Sequence, residues 1–537
     1  MSTLQRWEVE GAAFWDTAGK RIAYRNLWVS IPNLLSGFAV WMLWSTIIVT
    51  IQTLNDADPS LFAFPGADGQ PLRGNDYRAM LYLLPAVAGL AGATLRIPNS
   101  FIVAISGGRN AKALTTLLLI VPALGTGIAL QNPRVSFTTL IVLAALSGVG
   151  GGAFASSMSN ISFFFPKRMQ GLTLGLNAGL GNLGVSVMQF MVPYVICFNL
   201  FGPLGGESYA GPSGSVWIQN AGLAWVPILA VCGLLAAGLM NNLPIHPCGP
   251  FPLAAARFLW LELLGLAGAA AGIVLMLQLQ LPELVEMFVV VLAAVALTLL
   301  LLRFATPRAI RGNLRKQFAV FRNKHNGIMT WLYVMTFGSF IGYSAAFPKL
   351  IADVFGYVRV DAHGALLAEP IKLADAPNAL TYAFLGALVG SLVRPIGGWL
   401  SDRFGGARVT HWDTLVMIGA ALGVAFCVMK ARFSPTPGTW FMPFLLLFLL
   451  LFVTTGIGNG STFRMIAVIF PKEQAGPVLG WTSAIAAYGA FLIPTVFSTQ
   501  IKAGTPEYAM YGFVVYYVSC LLVNWWYYAR RGAEIVC

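Results

Sequence analysis

Charge is what this chain has least of. Only 10% of its 537 residues are Asp, Glu, Lys or Arg, 57% are hydrophobic, and the mean hydropathy is +0.73. That balance excludes a soluble globular domain and a disordered chain alike. Histidine occurs four times, as His246, His325, His363 and His411, each outside the apolar runs or at their edges. No pair of intramembrane haem ligands results, which argues against a respiratory cytochrome. Six cysteines, Cys197, Cys232, Cys248, Cys427, Cys520 and Cys537, have no close-paired spacing. They read as small apolar packers, and no metal, cofactor or disulfide framework is expected. No nucleophile constellation is recognisable, so the chain does not read as an enzyme.

Long apolar runs are what the sequence has in abundance. They fall roughly at 28–52, 79–106, 113–131, 136–165, 172–198, 221–241, 257–278, 287–303, 328–351, 379–401, 413–430, 439–469, 475–500 and 508–529. Each is long enough to cross a lipid bilayer as a helix. The alternating strands of a membrane barrel are much shorter. The expected class is an all-α polytopic membrane protein of about fourteen helices. The first 26 residues are polar and mixed in charge, so no cleavable leader is expected and the first run stays as a helix.

The net charge of +13 would suggest nucleic acid in a soluble protein. Here its distribution speaks of topology, and no nucleic-acid partner is expected. Arg21, Arg25, Arg109, Lys112, Lys167, Arg168, Arg303, Arg308, Arg311, Arg315, Lys316, Arg403, Arg408, Lys472, Arg530 and Arg531 gather at every second junction. Asp56, Asp58, Asp68, Asp76, Glu207, Asp361, Glu369 and Asp375 occupy the opposite loops. The positive-inside rule then places both termini in the cytoplasm.

Two arginines interrupt this apolar background. Arg96 lies in YLLPAVAGLAGATLRIPNSFIVAISGGRNAK (82–112) and Arg394 in AFLGALVGSLVRPIGGWLSDRFGGARV (383–409). A guanidinium at mid-membrane depth costs about 2.5–3.5 kcal/mol on insertion scales, so a use for the charge is expected. Superposing the two arginines, an offset of 298, brings Gly107 and Gly108 onto Gly405 and Gly406. An offset of 305 lays GGAFASSMSNISFFFPKRMQGLTLG (151–175) over GIGNGSTFRMIAVIFPKEQAGPVLG (456–480). Two homologous halves follow, 1–241 and 327–537, separated by an insertion at 242–326 with two extra spans and a basic linker.

Parallel repeats of six helices are the architecture of major facilitator transporters. GGWLSDRFGG (397–406) resembles that superfamily's loop signature, which implies an inner-gate latch at Asp402 and Arg403. The first half has Ala104 and Ile105 at those places, so the latch is one-sided. Pseudo-twofold symmetry would bring Arg96 and Arg394 to one central cavity. The central parts of the twelve repeated spans hold no acid, since Asp353, Asp402 and Asp413 are near ends. An anion is then the expected counter-charge. A planar guanidinium fork suits a flat trigonal oxyanion.

Other residues have plainer readings. Arg464 can snorkel inward from its helix end, and Glu262, on the first extra helix, reads as reaching for headgroups or a neighbour near a helix end. The extra pair is expected outside the transport core. Gly171, Gly175 and Gly179 share one helix face, as do Gly476, Gly480 and Ala484, spaced for close helix packing or for a sliding gate. Asn177 and Asn182 could offer amides to a ligand or hydrogen-bond across helices.

The chain resembles the nitrate/nitrite porter family of the major facilitator superfamily, most closely its nitrate/nitrite exchanger type. The strings that carry this are FWDTAGKRIAYRNLWVSIPNLL, GGAFASSMSNISFFFPK, GLNAGLGNLGVSVMQ, YVMTFGSFIGYSA, LVRPIGGWLSDR and GNGSTF. The resemblance implies that Arg96 and Arg394 clamp the anion, that Phe154 and Phe337 form a slot around it, and that Tyr333 and Asn182 lie beside them. It further implies nitrate and nitrite as substrates, alternating access, an inner-membrane location and a functional monomer. Aromatic faces repel anions, so the slot's role would be shape. Proton-coupled nitrate symport, transport of another small anion and an anion channel are the rival readings.

Overall fold

The computed structural model describes residues 6–537 except 67, 167–168, 213, 246–247, 280, 308–310, 313–320 and 362–363, together with the side chains of 170–172, 283–284, 368–369 and 472–477. Lys167, Arg168, His246, Arg308, Arg315, Lys316 and His363 therefore lie outside the described residues, as do the side chains of Glu369 and Lys472.

Lipid offers no hydrogen bonds, so each apolar run satisfies its backbone internally as a helix. The first half contains α1 (Ala12–Ala57), α2 (Gly74–Ser106), α3 (Gly108–Ala129), α4 (Phe137–Ser162), α5 (Gln170–Val195) and α6 (Asn220–Leu239). The extra pair is α7 (Phe251–Gln278) and α8 (Glu283–Phe304). The second half contains α9 (324–355), α10 (Ala379–Phe404), α11 (Gly406–Arg432), α12 (Pro437–Ile469), α13 (472–502) and α14 (Glu507–Ala529). Among the described residues these make fourteen helical stretches, twelve of which are long and apolar enough to cross a membrane, consistent with about fourteen crossings.

An even number of crossings puts both chain ends on one side. The C-terminus is pinned there, where the Ala407 N–H donates to the Cys537 carbonyl at 3.1 Å. At the other side lie two antiparallel hairpins, β1 (Tyr209–Gly211) with β2 (Gly214–Val216), and β3 (Tyr357–Val360) with β4 (Leu366–Lys372). The two sides are called here the terminal end and the hairpin end. The internal repeat survives in the backbone: Gly107 and Gly405, equivalent by the offset of 298, close α2 and α10 with φ of 80° and 88°. Only glycine adopts that region without strain.

Several helices start or stop beyond the apolar runs, and two of these differences move an acidic residue inward. α7 begins at Phe251, just after Pro250, rather than at 257. Glu262 is therefore well inside a 28-residue helix and buried, not near an end reaching for headgroups. α9 runs on to Phe355 and takes Asp353 into the protein, where it is fully buried.

Candidate anion site between the two halves

Both arginines stand beside a proline. Arg96 precedes Pro98 within α2, and Arg394 precedes Pro395 where α10 is interrupted at Val393. A proline leaves the carbonyl one turn earlier without its backbone donor and loosens the helix there. Each half thus presents its cation from a relaxed turn.

Arg96 is completely buried. Its Nε donates to the Gly151 carbonyl on α4 at 3.0 Å, and its Nη1 crosses to the other half, donating to the Ser483 carbonyl on α13 at 3.1 Å. Its Nη2 has no partner, and neither do Nε and Nη2 of Arg394, which is 8% exposed. Among the described residues neither guanidinium forms an ion pair with a carboxylate.

Aromatic faces hold these charges instead. The Arg96 Cζ lies 4.7 Å from the Phe154 ring centroid, 4.8 Å from Phe337 and 5.3 Å from Trp41. The Arg394 Cζ lies 4.4 Å from Phe340 and 5.7 Å from Phe337. Desolvated contacts of this kind contribute about 0.5–2 kcal/mol each. The rings thus have an electrostatic task, directed at the cations, that the shape argument overlooked. Phe337 is shared by the two arginines, so their Cζ atoms cannot be farther apart than the total of their two distances to it, about 10.5 Å. Their mutual repulsion is then at least about 1.6 kcal/mol at an effective dielectric near 20.

Phe154 and Phe337 are nearly parallel, with centroids 6.0 Å apart and an interplanar angle of 24°. Ordinary carbon contact distances on both faces of a flat guest require roughly 7 Å, so the slot is about 1 Å short of admitting one. Tyr333 stacks on Phe337 at 5.7 Å and 12°, and its hydroxyl donates to Asn459 Oδ1 at 3.1 Å. Phe337 sits in a π-helical turn, Val334–Gly338, a distortion that the sequence pattern does not announce.

Asn182 is fully buried, with both its amide atoms unpartnered. Asn177 differs: its Nδ2 donates to Ser157 Oγ at 3.0 Å and its Oδ1 accepts from Ser30 Oγ at 3.1 Å, so its amide is committed to cross-helix bonding. Sequence reasoning missed Trp41, Phe340 and Asn459. The offset of 305 places Asn459 opposite Phe154, so the internal repeat held a signal for it.

The two ends of the interface differ. Near the hairpin end the halves are bridged by Gln52 Nε2 to Asp353 Oδ1 at 3.2 Å, by Tyr357 OH to Asp56 Oδ2 at 2.5 Å, by Lys372 to Asp56 at 3.0 Å and by Lys502 to Asp76 at 3.4 Å. There α2 touches α13 so closely that a Cβ on Gly89 would lie 2.3 Å from the Ala490 backbone. Toward the terminal end, Gly175 and Gly179 have nothing within 4 Å of a Cβ position, so the close packing their spacing suggests is not made in this state. Gly480 meets only Ser100, at 3.6 Å. Gly171 is on α5 and Gly476 on α13, at positions whose surroundings lie outside the described residues. Among the described residues the hairpin end is closed, and toward the terminal end Gly175 and Gly179 face open space.

Asp402 pairs with Arg464 Nε at 2.8 Å, linking α10 to α12 within the second half, while Arg403 packs over Trp399 at 4.8 Å. Arg464 is 45% exposed and is not a buried cation of the central site.

Two six-helix halves that meet at a buried cluster of arginines, aromatic rings and amides make up the major facilitator fold, that of alternating-access transporters. The xylose transporter XylE from E. coli, in a partially occluded inward-open conformation, matches with a TM-score of 0.56 over 94% of this chain and 99% of its own, at 12% identity. No family model matches the chain. The chain is 38% identical to the probable nitrate/nitrite antiporter NarK2 of Thermus thermophilus, over 99% of this chain and 97% of that protein. It is 36% identical to the nitrate/nitrite transporter NarU of Escherichia coli, over 98% and 96% respectively. The chain belongs to the family of these nitrate/nitrite transporters and has the major facilitator fold.

Proposed function

We propose that this protein exchanges nitrate for nitrite, each anion being clamped in turn between Arg96 and Arg394. The observation that carries the reading is a pair of buried guanidinium groups sharing one ring, with unpartnered N–H groups and no carboxylate paired to either among the described residues. An anion relieves the repulsion and satisfies those donors. A planar one suits the slot between Phe154 and Phe337 once it widens, with Asn182 and Tyr333 beside it. Reorienting without cargo leaves two cations facing each other, which favours exchange over one-way movement. The names of the relatives point the same way.

The basic residues at the terminal end and the acidic loops at the hairpin end support an inner-membrane orientation with both termini cytoplasmic. A state closed at the hairpin end is then closed toward the outside, and a monomer, divided at 241/242 and 326/327, contains a complete site.

The test uses purified full-length protein. Nitrate titrations of Arg96→Lys and Arg394→Lys should show at least about tenfold weaker binding, roughly 1.4 kcal/mol, because an ammonium keeps the charge and loses the fork. Native affinity in both variants would remove the site. Proteoliposomes loaded with nitrite should take up nitrate without a pH gradient.

One observation favours proton-coupled symport as a second reading: Glu262 is a buried carboxylate in the middle of a membrane helix. Uptake that requires an inward proton gradient would decide for it.

A further inference from the structure

The extra helix α7 does not stand apart from the transport core. It lies along α2, and the contact is made at the turn that carries Arg96. A Cβ on Gly265 would lie 2.7 Å from Leu95 and 2.8 Å from Pro98, so only glycine lets α7 approach this closely. One turn earlier on α7, Glu262 Oε1 accepts a hydrogen bond of 2.6 Å from Asn99 Nδ2. Asn99 also donates to the Leu95 carbonyl at 3.0 Å. Both Glu262 and Asn99 are inaccessible to solvent.

The chemistry of that turn explains why a brace has a purpose. Pro98 removes a backbone donor from α2 beside Arg96, so the Thr94 carbonyl lacks its usual helical partner in an otherwise continuous helix. Arg96 reaches Gly151 and Ser483, while Leu95, Pro98 and Asn99 of the same turn meet α7, Leu95 and Asn99 lying also against Gly152 of α4. The gripping helix is itself supported, since a Cβ on Gly268 would collide with Thr298 of α8 at 1.9 Å.

We infer that Glu262, through Asn99, is a positioning residue for Arg96, and that the helix pair α7 and α8 exists to brace the proline-loosened turn of the substrate helix. Arg394 has no such brace, since α7 packs on the first half. This inference rests on the central site proposed above and adds an asymmetry to it: one arginine is held by an accessory helix, the other only by its own half.

The experiment is a double-mutant cycle on the purified full-length protein, read by nitrate titration with thermal unfolding as the folding control. Glu262→Leu should weaken nitrate binding at least fivefold, while Glu262→Gln, which keeps an acceptor for Asn99, should bind within twofold of native. Adding Arg96→Lys to Glu262→Leu should cost little more than the worse single change, because both act on one group. Adding Arg394→Lys should multiply the two losses. A general loss of packing would couple equally to both arginines, and that result overturns the inference. So does native affinity in Glu262→Leu, provided that Arg96→Lys alone binds weakly. Native affinity in Arg96→Lys and Arg394→Lys is a different failure, that of the central site itself.

Discussion

A buried charge here is stabilised by whatever its nearest neighbours offer, and the chain uses two solutions. Lys349 and Asp353, both fully buried, pair at 2.6 Å one turn apart on α9. Removing one partner strands the other, so Asp353→Ala should cost about 3–5 kcal/mol. Lys349→Met with Asp353→Leu together should cost far less, as thermal unfolding in detergent would show. Arg96 and Arg394 instead lie against aromatic faces, with guanidinium N–H groups left unpartnered. Tyr333→Phe leaves Asn459 Oδ1 without its donor and is expected to weaken nitrate binding by about 1–3 kcal/mol without changing uptake at saturation. Phe337→Ala opens the slot and withdraws a ring from both cations. It should weaken nitrate binding and let sulfate compete, whereas the native protein should ignore sulfate in the same titration.

At the level of helices, the two ends of the interface make opposite predictions. Gly89 is pressed against Ala490 at the closed hairpin end, so Gly89→Leu can be accommodated only if α2 and α13 part. Gly179 faces open space toward the terminal end, so Gly179→Leu fits the present state and should obstruct the alternate one. Both variants should fold, bind nitrate and fail to exchange it. Cysteine labelling from the two sides should show Gly89→Leu open at the hairpin end and Gly179→Leu open at the terminal end. The bonds of Asp56 to Tyr357 and Lys372 tie the β3–β4 hairpin to the first half, and Asp56→Asn should shift labelling toward the outward-open form. The Asp402–Arg464 pair is largely exposed and stays within one half, so Asp402→Asn should leave stability nearly unchanged.

For the whole molecule, exchange of one monovalent anion for another moves no net charge. An imposed potassium diffusion potential should therefore leave the rate of nitrate/nitrite exchange unaltered, while a one-anion, two-proton symport would respond to it. The helix count was legible in the residues because hydrophobic length is a local pattern, and the repeat at offsets of 298 and 305 and the lone cations in apolar runs are visible for the same reason. Glu262 was misplaced because the apolar pattern alone puts the start of α7 at 257, while Pro250 and the preceding loop start it at Phe251. The contact between α7 and the Arg96 turn was beyond reach, since no pattern in either helix names its partner.

The chain by itself determined that this is a helical membrane protein, with a repeated sequence pattern and two arginines set in apolar runs, because lipid penalises every unsatisfied backbone group wherever it sits in the fold. Which rings face those cations, which end of the interface is shut and what leans on Arg96 were decided only by tertiary packing. These depend on distances between helices far apart in the chain, and a side chain's partner across a helix interface is set by the crossing of two helices, which neither encodes alone.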